Sequence, residues 1–289
     1  MTARALAPEA IGPRIRMRIP QLTPLEARVV EVMIARKDLD TTTQLKGIAE
    51  DAGVSDAMVV KVAKKLGFSG FRELRAGLVD YRRAPTASLH SEIAPDDDMA
   101  SIAAKVFRTS IQALEETMAI LDVKALQRAA DMLYDAHRIE MYGVGGSAQI
   151  GRDVAHKLLR IGRRAQLYDD AHMMLMSAAT LGPDDVVVAF SHSGETTVVL
   201  ESLERAAECG AGTIAVTNYP GSSIAQKAEV VLCSTAQGSP LLGENAAARV
   251  AQLILMDTVF VGIAQRDVAQ AEQALDQTMG AVQGKRRRR

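Results

Sequence analysis

A chain of 289 residues, 48% hydrophobic and 24% charged, has the composition of a folded protein of about two domains and not of a disordered segment. Aromatics at 3% and no Trp argue against reading single-stranded nucleic acid by base stacking. Cys209 and Cys233 lie outside any CxxC pair and the five histidines show no metal-ligand spacing, so a disulfide or zinc framework is excluded and neither metal nor cofactor is expected. The net charge of −1 conceals an asymmetry: residues 1–90 balance to +5, residues 91–284 to −11, and Lys285 to Arg289 add +5. A polyanionic partner is therefore expected at the N-terminal third. No apolar segment follows the N-terminal arginines and no run approaches 18 apolar residues, so a cytoplasmic chain without a membrane span is expected.

Residues 1–20 carry Pro and Arg without clear periodicity and are expected as an arm. Thr23 before Pro24 is a helix-start signal, and Leu25, Val29, Val32 and Met33 follow at helical spacing. A second helix is expected to open at Thr42 or Thr43, with Leu45, Ile48 and Ala49 inward, and to stop at Gly53. Ser55 caps a third that runs to Leu66, and a fourth covers roughly 69–83. These make an all-α domain over 21–83. The Pro-, Ser- and Asp-rich stretch 84–98 reads as a linker, and helices are expected over about 98–121 and 123–135. Short strands then recur at 138–142, 164–168, 185–190, 212–217 and 229–233 with helical segments between, the alternation of βαβ units on a parallel sheet. A last long helix runs from 245 to about 266, and 267–289 is expected as a C-terminal tail.

Two patterns carry chemistry. From Leu45 to Leu66 the sequence places small Ala49 at a helix crossing, Gly53 at a tight turn and Val54 in the corner, with Val59, Val62 and Leu66 facing a core. That is a helix-turn-helix. It leaves Ser55, Asp56, Ala57, Met58 and Lys61 at the front of the second helix, where base edges and phosphates are approached. Thr43, where the first of these two helices is expected to open, is counted with them. Lys61, Lys64 and Lys65 supply phosphate charge, and Ala57 and Met58 offer contacts for thymine methyls. The plainer alternative is a helical bundle with a solvated lysine face.

The second pattern is a pair of loops, each after an apolar strand and before a helix. Gly143-Val-Gly-Gly-Ser147 presents backbone N–H groups and a helix N-terminus to an anion, with Gly145, Gly146 and Ser147 at its tip. Taken alone, Gly143, Gly145 and Ala148 also fit a dinucleotide fingerprint, with Asp169 and Asp170 near a ribose. Residues 191–197, SHSGETT, change the balance. Ser191, Ser193 and Thr196 set three hydroxyls beside His192 and Gly194, a supply suited to the oxygens of a phosphate monoester. A loop capped by its own Ser and Thr is the bland reading of either one.

These motifs resemble the RpiR/MurR family of bacterial regulators, which join a helix-turn-helix to a SIS (sugar isomerase) domain. The resemblance spans about Thr23 to Gln265. It rests on GVSDAMVVKVAKKLGFSGFREL (53–74), GVGGSA (143–148) and SHSGETT (191–197), and, in the manner of the RpiR subgroup, on AHKLLRIG (155–162), YDDAHMMLMSAATL (168–181) and PLLGENAAAR (240–249). Lys61-Val62 stands where many members have Arg-Phe, the RpiR subgroup having Lys. The resemblance implies an α/β fold in two parts: the helix-turn-helix, then, over 99–266, a three-layer α/β/α sandwich on a five-stranded parallel sheet. It implies a cytoplasmic repressor that binds double-stranded operator DNA and a pentose or hexose phosphate, and forms a homodimer or homotetramer through its SIS domains. Ser147, Ser191, Ser193 and Thr196 would hold the phosphate. Glu244 and Asn245 would lie near the sugar, and His172 would reach it across a subunit boundary. Two other functions compete: a phosphosugar isomerase or lyase with Glu244 as acid/base, which has no use for the N-terminal domain, and a dinucleotide-binding redox sensor.

Overall fold

The computed structural model describes residues 8–36, 38–83, 93–236 and 246–283. The chain divides into two compact units, residues 1–120 with 235–244, and residues 121–234 with 245–289.

In the first unit, helices Pro8–Arg18 (α1), Pro24–Ala35 (α2), Leu45–Ala52 (α3), Asp56–Lys65 (α4), Phe71–Arg83 (α5) and Met99–Ala119 (α6) follow one another. Their core is Val29, Met33, Ile48, Val59, Val62, Leu66, Phe71 and Leu74, joined by Ile11 and Ile15 of α1. The inward positions read from the sequence of the helix-turn-helix are therefore inward in the fold. Three expectations need correction. Residues 8–18 are not an arm: Ile11 and Ile15 lie one turn apart and bury against α5, a match that only the partner helix makes visible. The second helix begins at Leu45, not at Thr42 or Thr43. Asp40 draws those residues into a turn, its Oδ1 accepting from both backbone N–H groups at 2.8 Å and from both hydroxyls. Helix α6, expected within the SIS domain, belongs to the first unit. Glu116 of α6 is fully buried there, pairing with Arg16 of α1 and accepting from Tyr81 of α5 at 2.7 Å. Of the expected linker, 84–92 lies outside the described residues.

The second unit is a five-stranded parallel sheet. Its strands Arg138–Tyr142 (β1), Ala165–Tyr168 (β2), Asp185–Phe190 (β3), Gly212–Thr217 (β4) and Val230–Cys233 (β5) stand in the order β2-β1-β3-β4-β5. Their bounds follow the expected ones closely, because a strand covered on both faces reads as an unbroken apolar run; β3, DVVVAF, is buried throughout. Helices Val123–Asp135 (α7), Gly145–Arg160 (α8) and Ala246–Ala264 (α12) cover one face around Met141, Val188 and Val216. Helices Ala171–Ala178 (α9), Thr197–Glu208 (α10) and Ser223–Lys227 (α11) cover the other around Val187, Ala189 and Ala215. This is the expected α/β/α sandwich. Helix α12 is apolar and long enough to cross a membrane by length and composition, yet it lays Leu255, Met256, Val259 and Ile263 into this core. Residues 268–283 form helix α13 where a tail was expected; Ala271 and Leu275 pack on the same core. The closing Lys285 to Arg289 lies outside the described residues.

Candidate functional site

In the helix-turn-helix, Gly53 takes the left-handed conformation (φ 67°), which a side chain would strain, and so reverses the chain between α3 and α4. Ser55 caps α4 as expected, its hydroxyl accepting from the Met58 N–H at 3.3 Å. Val59, Val62 and Ala63 are buried, which turns Asp56, Ala57, Lys61, Lys64 and Lys65 outward, with Met58 half-buried. Ala57, Val60, Lys61, Lys64 and Lys65 line one shallow depression on that face. Thr43 stands apart from it, half-buried and held by Asp40.

Glu26 was not foreseen on this face. It closes a capping box with Thr23 at the start of α2, and its buried carboxylate takes Lys65 at 2.7 Å and Lys61 at 3.2 Å. The Lys65 ammonium, then the Thr23 N–H, hold its carboxyl down at about 2. The signal was the spacing Thr23-x-x-Glu26. Among the described residues Lys64 makes no ion pair, so the three lysines differ in how freely they can meet a phosphate.

The two loops of the second unit follow β1 and β3, which are neighbours: Tyr142 is in register with Ala189. Chain order reverses between these strands, since β1 continues to β2 on one side and the chain then returns to β3 on the other. A crevice opens at the carboxyl ends of strands at such a switch point. A methyl group on Gly143 would lie 3.3 Å from the Phe190 carbonyl oxygen, so the first loop starts against the end of β3. Neither helix that opens from these loops is capped by a side chain: Val144 precedes α8 and Thr196 precedes α10 without such a bond. By contrast α7 and α9 are capped by Asp122 and Asp170. The first-turn N–H groups of α8 and α10, Gly145 and Gly146 among them, thus carry the positive ends of two helices without a side-chain acceptor among the described residues.

The hydroxyls of the second loop divide the work. Ser191, buried, accepts from the Gly194 N–H and shares a hydrogen bond with Thr196 Oγ1, each 3.0 Å. Ser193, exposed, accepts from the Glu195 N–H at 3.2 Å. Gly194 (φ 71°) presses on Ser222, whose hydroxyl oxygen a methyl group there would meet at 2.0 Å. The Glu195 carboxylate takes the Ser223 hydroxyl at 2.6 Å and N–H at 2.9 Å, which hold its carboxyl below the usual range. The His192 carbonyl accepts from the Asn218 N–H and the Thr217 hydroxyl, and its ring meets Tyr219 edge-on.

Other candidates fall elsewhere. His172 is exposed in the first turn of α9, after β2. Asp170 caps α9, and Asp169 pairs with Arg152 at 2.9 Å, so both acids proposed for a ribose are engaged. Glu244 and Asn245 lie outside the described residues. Arg249 of α12 does reach the first loop: its Nη1 lies 3.1 Å from where a methyl group on Gly146 would stand. A buried polar layer under the crevice was missed: Thr217 at the end of β4 and Asn218 after it, Ser234 after β5, and Gln252 of α12, with Asn218 Oδ1 accepting from Ser234 at 2.5 Å and Gln252 at 3.4 Å. The signal was present in the strand endings AVTN and VLCST, where apolar runs stop on polar pairs.

Comparison with known proteins agrees with this division. Residues 10–84 match the rpiR-family helix-turn-helix domain and residues 132–262 the SIS domain. The HTH-type transcriptional regulator RpiR of Escherichia coli K12 is 43% identical over 95% of this chain and 93% of its own length. The uncharacterized HTH-type regulator YbbH of Bacillus subtilis is 31% identical over 92% and 94%. Among solved structures, the Vibrio vulnificus NanR protein complexed with ManNAc-6P shares the fold over 94% of this chain and 98% of its own, at TM-score 0.62 and 23% identity. With its two matched domains and relatives at this identity along almost its whole length, the chain belongs to the RpiR family of helix-turn-helix transcriptional regulators that carry a SIS domain.

Proposed function

We propose that this regulator is a repressor of sugar-metabolism genes whose operator affinity falls when a phosphorylated sugar occupies the crevice between residues 143–147 and 191–197, and that it binds this sugar without turning it over. The observation that carries the reading is the pairing of two uncapped helix N-termini, at α8 and α10, on neighbouring strands at the switch point of the sheet. A monoester dianion finds there N–H groups from both helix ends and the hydroxyls of Ser147, Ser193 and Thr196. Ser191 braces the loop from beneath, Gly145, Gly146 and Gly194 let the backbone approach, and Arg249 adds a cation beside Gly146. His192, His172, Glu244 and Asn245 are the candidates for the sugar itself. Related proteins support the ligand class: NanR is complexed with ManNAc-6P, and a further SIS-fold neighbour, the c3406 protein of Escherichia coli CFT073, is in complex with A5P. Double-stranded DNA is met by α4 through Ser55, Asp56, Ala57, Met58, Lys61, Lys64 and Lys65.

A ligand shifts the DNA-competent population only by its difference in affinity between the two states. The test is anisotropy titration on an operator selected from a random duplex library, with a panel of pentose and hexose phosphates and the free sugars. One phosphorylated sugar weakens operator binding by about tenfold or more, and its free sugar does not. The double variant Ser147→Ala/Ser193→Ala, chosen because Ser191 is needed for the loop itself, keeps operator affinity and loses the response. Unchanged affinity across the whole panel rejects control by this class. Isomerisation of an aldose phosphate, lost in Glu244→Gln, rejects the non-enzymatic reading.

A further inference from the structure

The lysine face of α4 is answered by a single buried acid. Glu26, in the first turn of α2, has a side chain only 1% exposed, against 60% for Lys61 and 39% for Lys65. The two lysines stand four residues apart on one side of α4 and reach the same carboxylate, Lys65 at Oε2 and Lys61 at Oε1. An ordinary surface ion pair joins two side chains that are both free to part. Here the acid is fixed. Its Oε2 also accepts from the Thr23 N–H at 3.0 Å, and the positive end of α2 favours its charge. Only the ammonium groups can move, and these are the groups that a phosphate would take. Lys64, on the same depression as Ala57 and Val60, makes no ion pair among the described residues.

We infer that Glu26 is a counter-charge built into the DNA-facing surface: it withholds Lys61 and Lys65 from the phosphate backbone, leaves Lys64 as the free contact, and so limits capture of the protein by non-cognate DNA. The inference rests on the reading of α4 as the helix that meets DNA. A duplex without an operator offers little beyond phosphates, and its attraction follows the number of charges that neutralise them. Lys61, Lys65 and Glu26 together carry one positive charge, where the two lysines alone would carry two. A lysine that turned to a phosphate would also strip a buried carboxylate of a cation, a loss that the backbone contact must first offset. The segment KVAKK (61–65) therefore meets a polyanion with less charge than its composition suggests.

Glu26→Gln tests this, because Gln at that position keeps the capping box with Thr23 and removes only the charge. Binding of the full-length protein to a random-sequence duplex is followed by anisotropy across a salt series, with thermal melting of each variant alongside. Glu26→Gln steepens the slope of log K against log salt by about 0.9, one more phosphate neutralised, and tightens binding by about three- to tenfold near 0.1 M salt. Glu31→Gln, exposed on the same helix and without an ion pair among the described residues, changes the net charge equally and moves the slope less. Lys65→Ala in the Glu26→Gln background returns the slope to the wild-type value. An unchanged or shallower slope in Glu26→Gln, with a change only in melting, shows a mere tie between α2 and α4 and overturns the counter-charge. An equal change in Glu31→Gln overturns it too, as an effect of bulk charge. If Lys64→Ala also leaves the slope unchanged, the DNA-facing role of α4 falls, and this inference with it; a lower slope in Lys64→Ala beside no change in Glu26→Gln overturns the counter-charge alone.

Discussion

Gly194→Ala separates two reasons for a glycine in the second loop, and the structure provides a control for each. At φ 71° any Cβ costs about 1–2 kcal/mol from clash with its own carbonyl. A methyl group here also meets Ser222 Oγ at 2.0 Å, its Cβ at 2.4 Å and Thr217 Oγ1 at 3.0 Å. The Ser222 Cβ is not the end of a flexible side chain, so the loop or α11 must shift, a second cost of about 1–3 kcal/mol. The sum, about 2–5 kcal/mol, corresponds to a fall in melting temperature of very roughly 5–15 °C for a unit of this size. Gly145→Ala is the first control: φ is 57° with nothing within 4 Å of the added methyl group, so it loses only about 1–2 kcal/mol. Ser222→Gly is the second. It removes the clashing atoms, and Ser222 makes no side-chain cap to α11, so the double variant Gly194→Ala/Ser222→Gly recovers about 1–3 kcal/mol. Hydrogen exchange of the peptide containing Val186 to Phe190 reads this in the second unit alone. Equal losses in Gly194→Ala and Gly145→Ala, or no recovery in the double variant, would refute contact with Ser222 as the demand for glycine.

Arg16→Met leaves the fully buried Glu116 carboxylate without its cation and destabilises the first unit by about 3–5 kcal/mol in urea melts; Arg16→Met/Glu116→Met recovers much of this, and additive losses would show that the pair is not coupled. Operator binding of Lys61→Ala, Lys64→Ala and Lys65→Ala across a salt series shows slopes lower by about 0.9 for each lysine that meets a phosphate; Lys64→Ala, free of Glu26, gives the largest affinity loss, and unchanged slopes in all three would remove α4 as the charged face. Glu26, its carboxyl lowered from the usual 4.5 to about 2, stabilises the first unit in full above the unfolded value, and this contribution fades as pH falls toward 2. The stability gap between wild type and Glu26→Gln is therefore constant from neutral pH to about 4.5, narrows below that and closes only as pH approaches about 2, and a gap constant across this range would deny the ion pairs their part.

Local signals made most of the fold legible. Gly53, Ser55 and the spacing of Val59, Val62 and Leu66 specify the helix-turn-helix, since turn, cap and inner face all lie within one short segment. The inner strands β3 and β4 were legible because both faces of the sheet are covered there, which leaves mostly apolar residues along them. The loops at 143–147 and 191–197 announced themselves by residue type, but that they neighbour one another depends on the strand order. What stayed hidden depends on partners distant in sequence. Glu26 looks like an ordinary capping residue until α4 brings Lys61 and Lys65 to it.

Sequence alone determined the element types, the helix-turn-helix, the two loops and the family, because periodicity, caps and turn residues act over a few positions. Only tertiary structure decided that α1 is part of a core, that α6 joins the first unit, and that β1 and β3 stand side by side. These depend on burying surface against residues 47 to 100 positions away, such as β1 against β3 and Arg16 against Tyr81 and Glu116, and no local pattern records that choice.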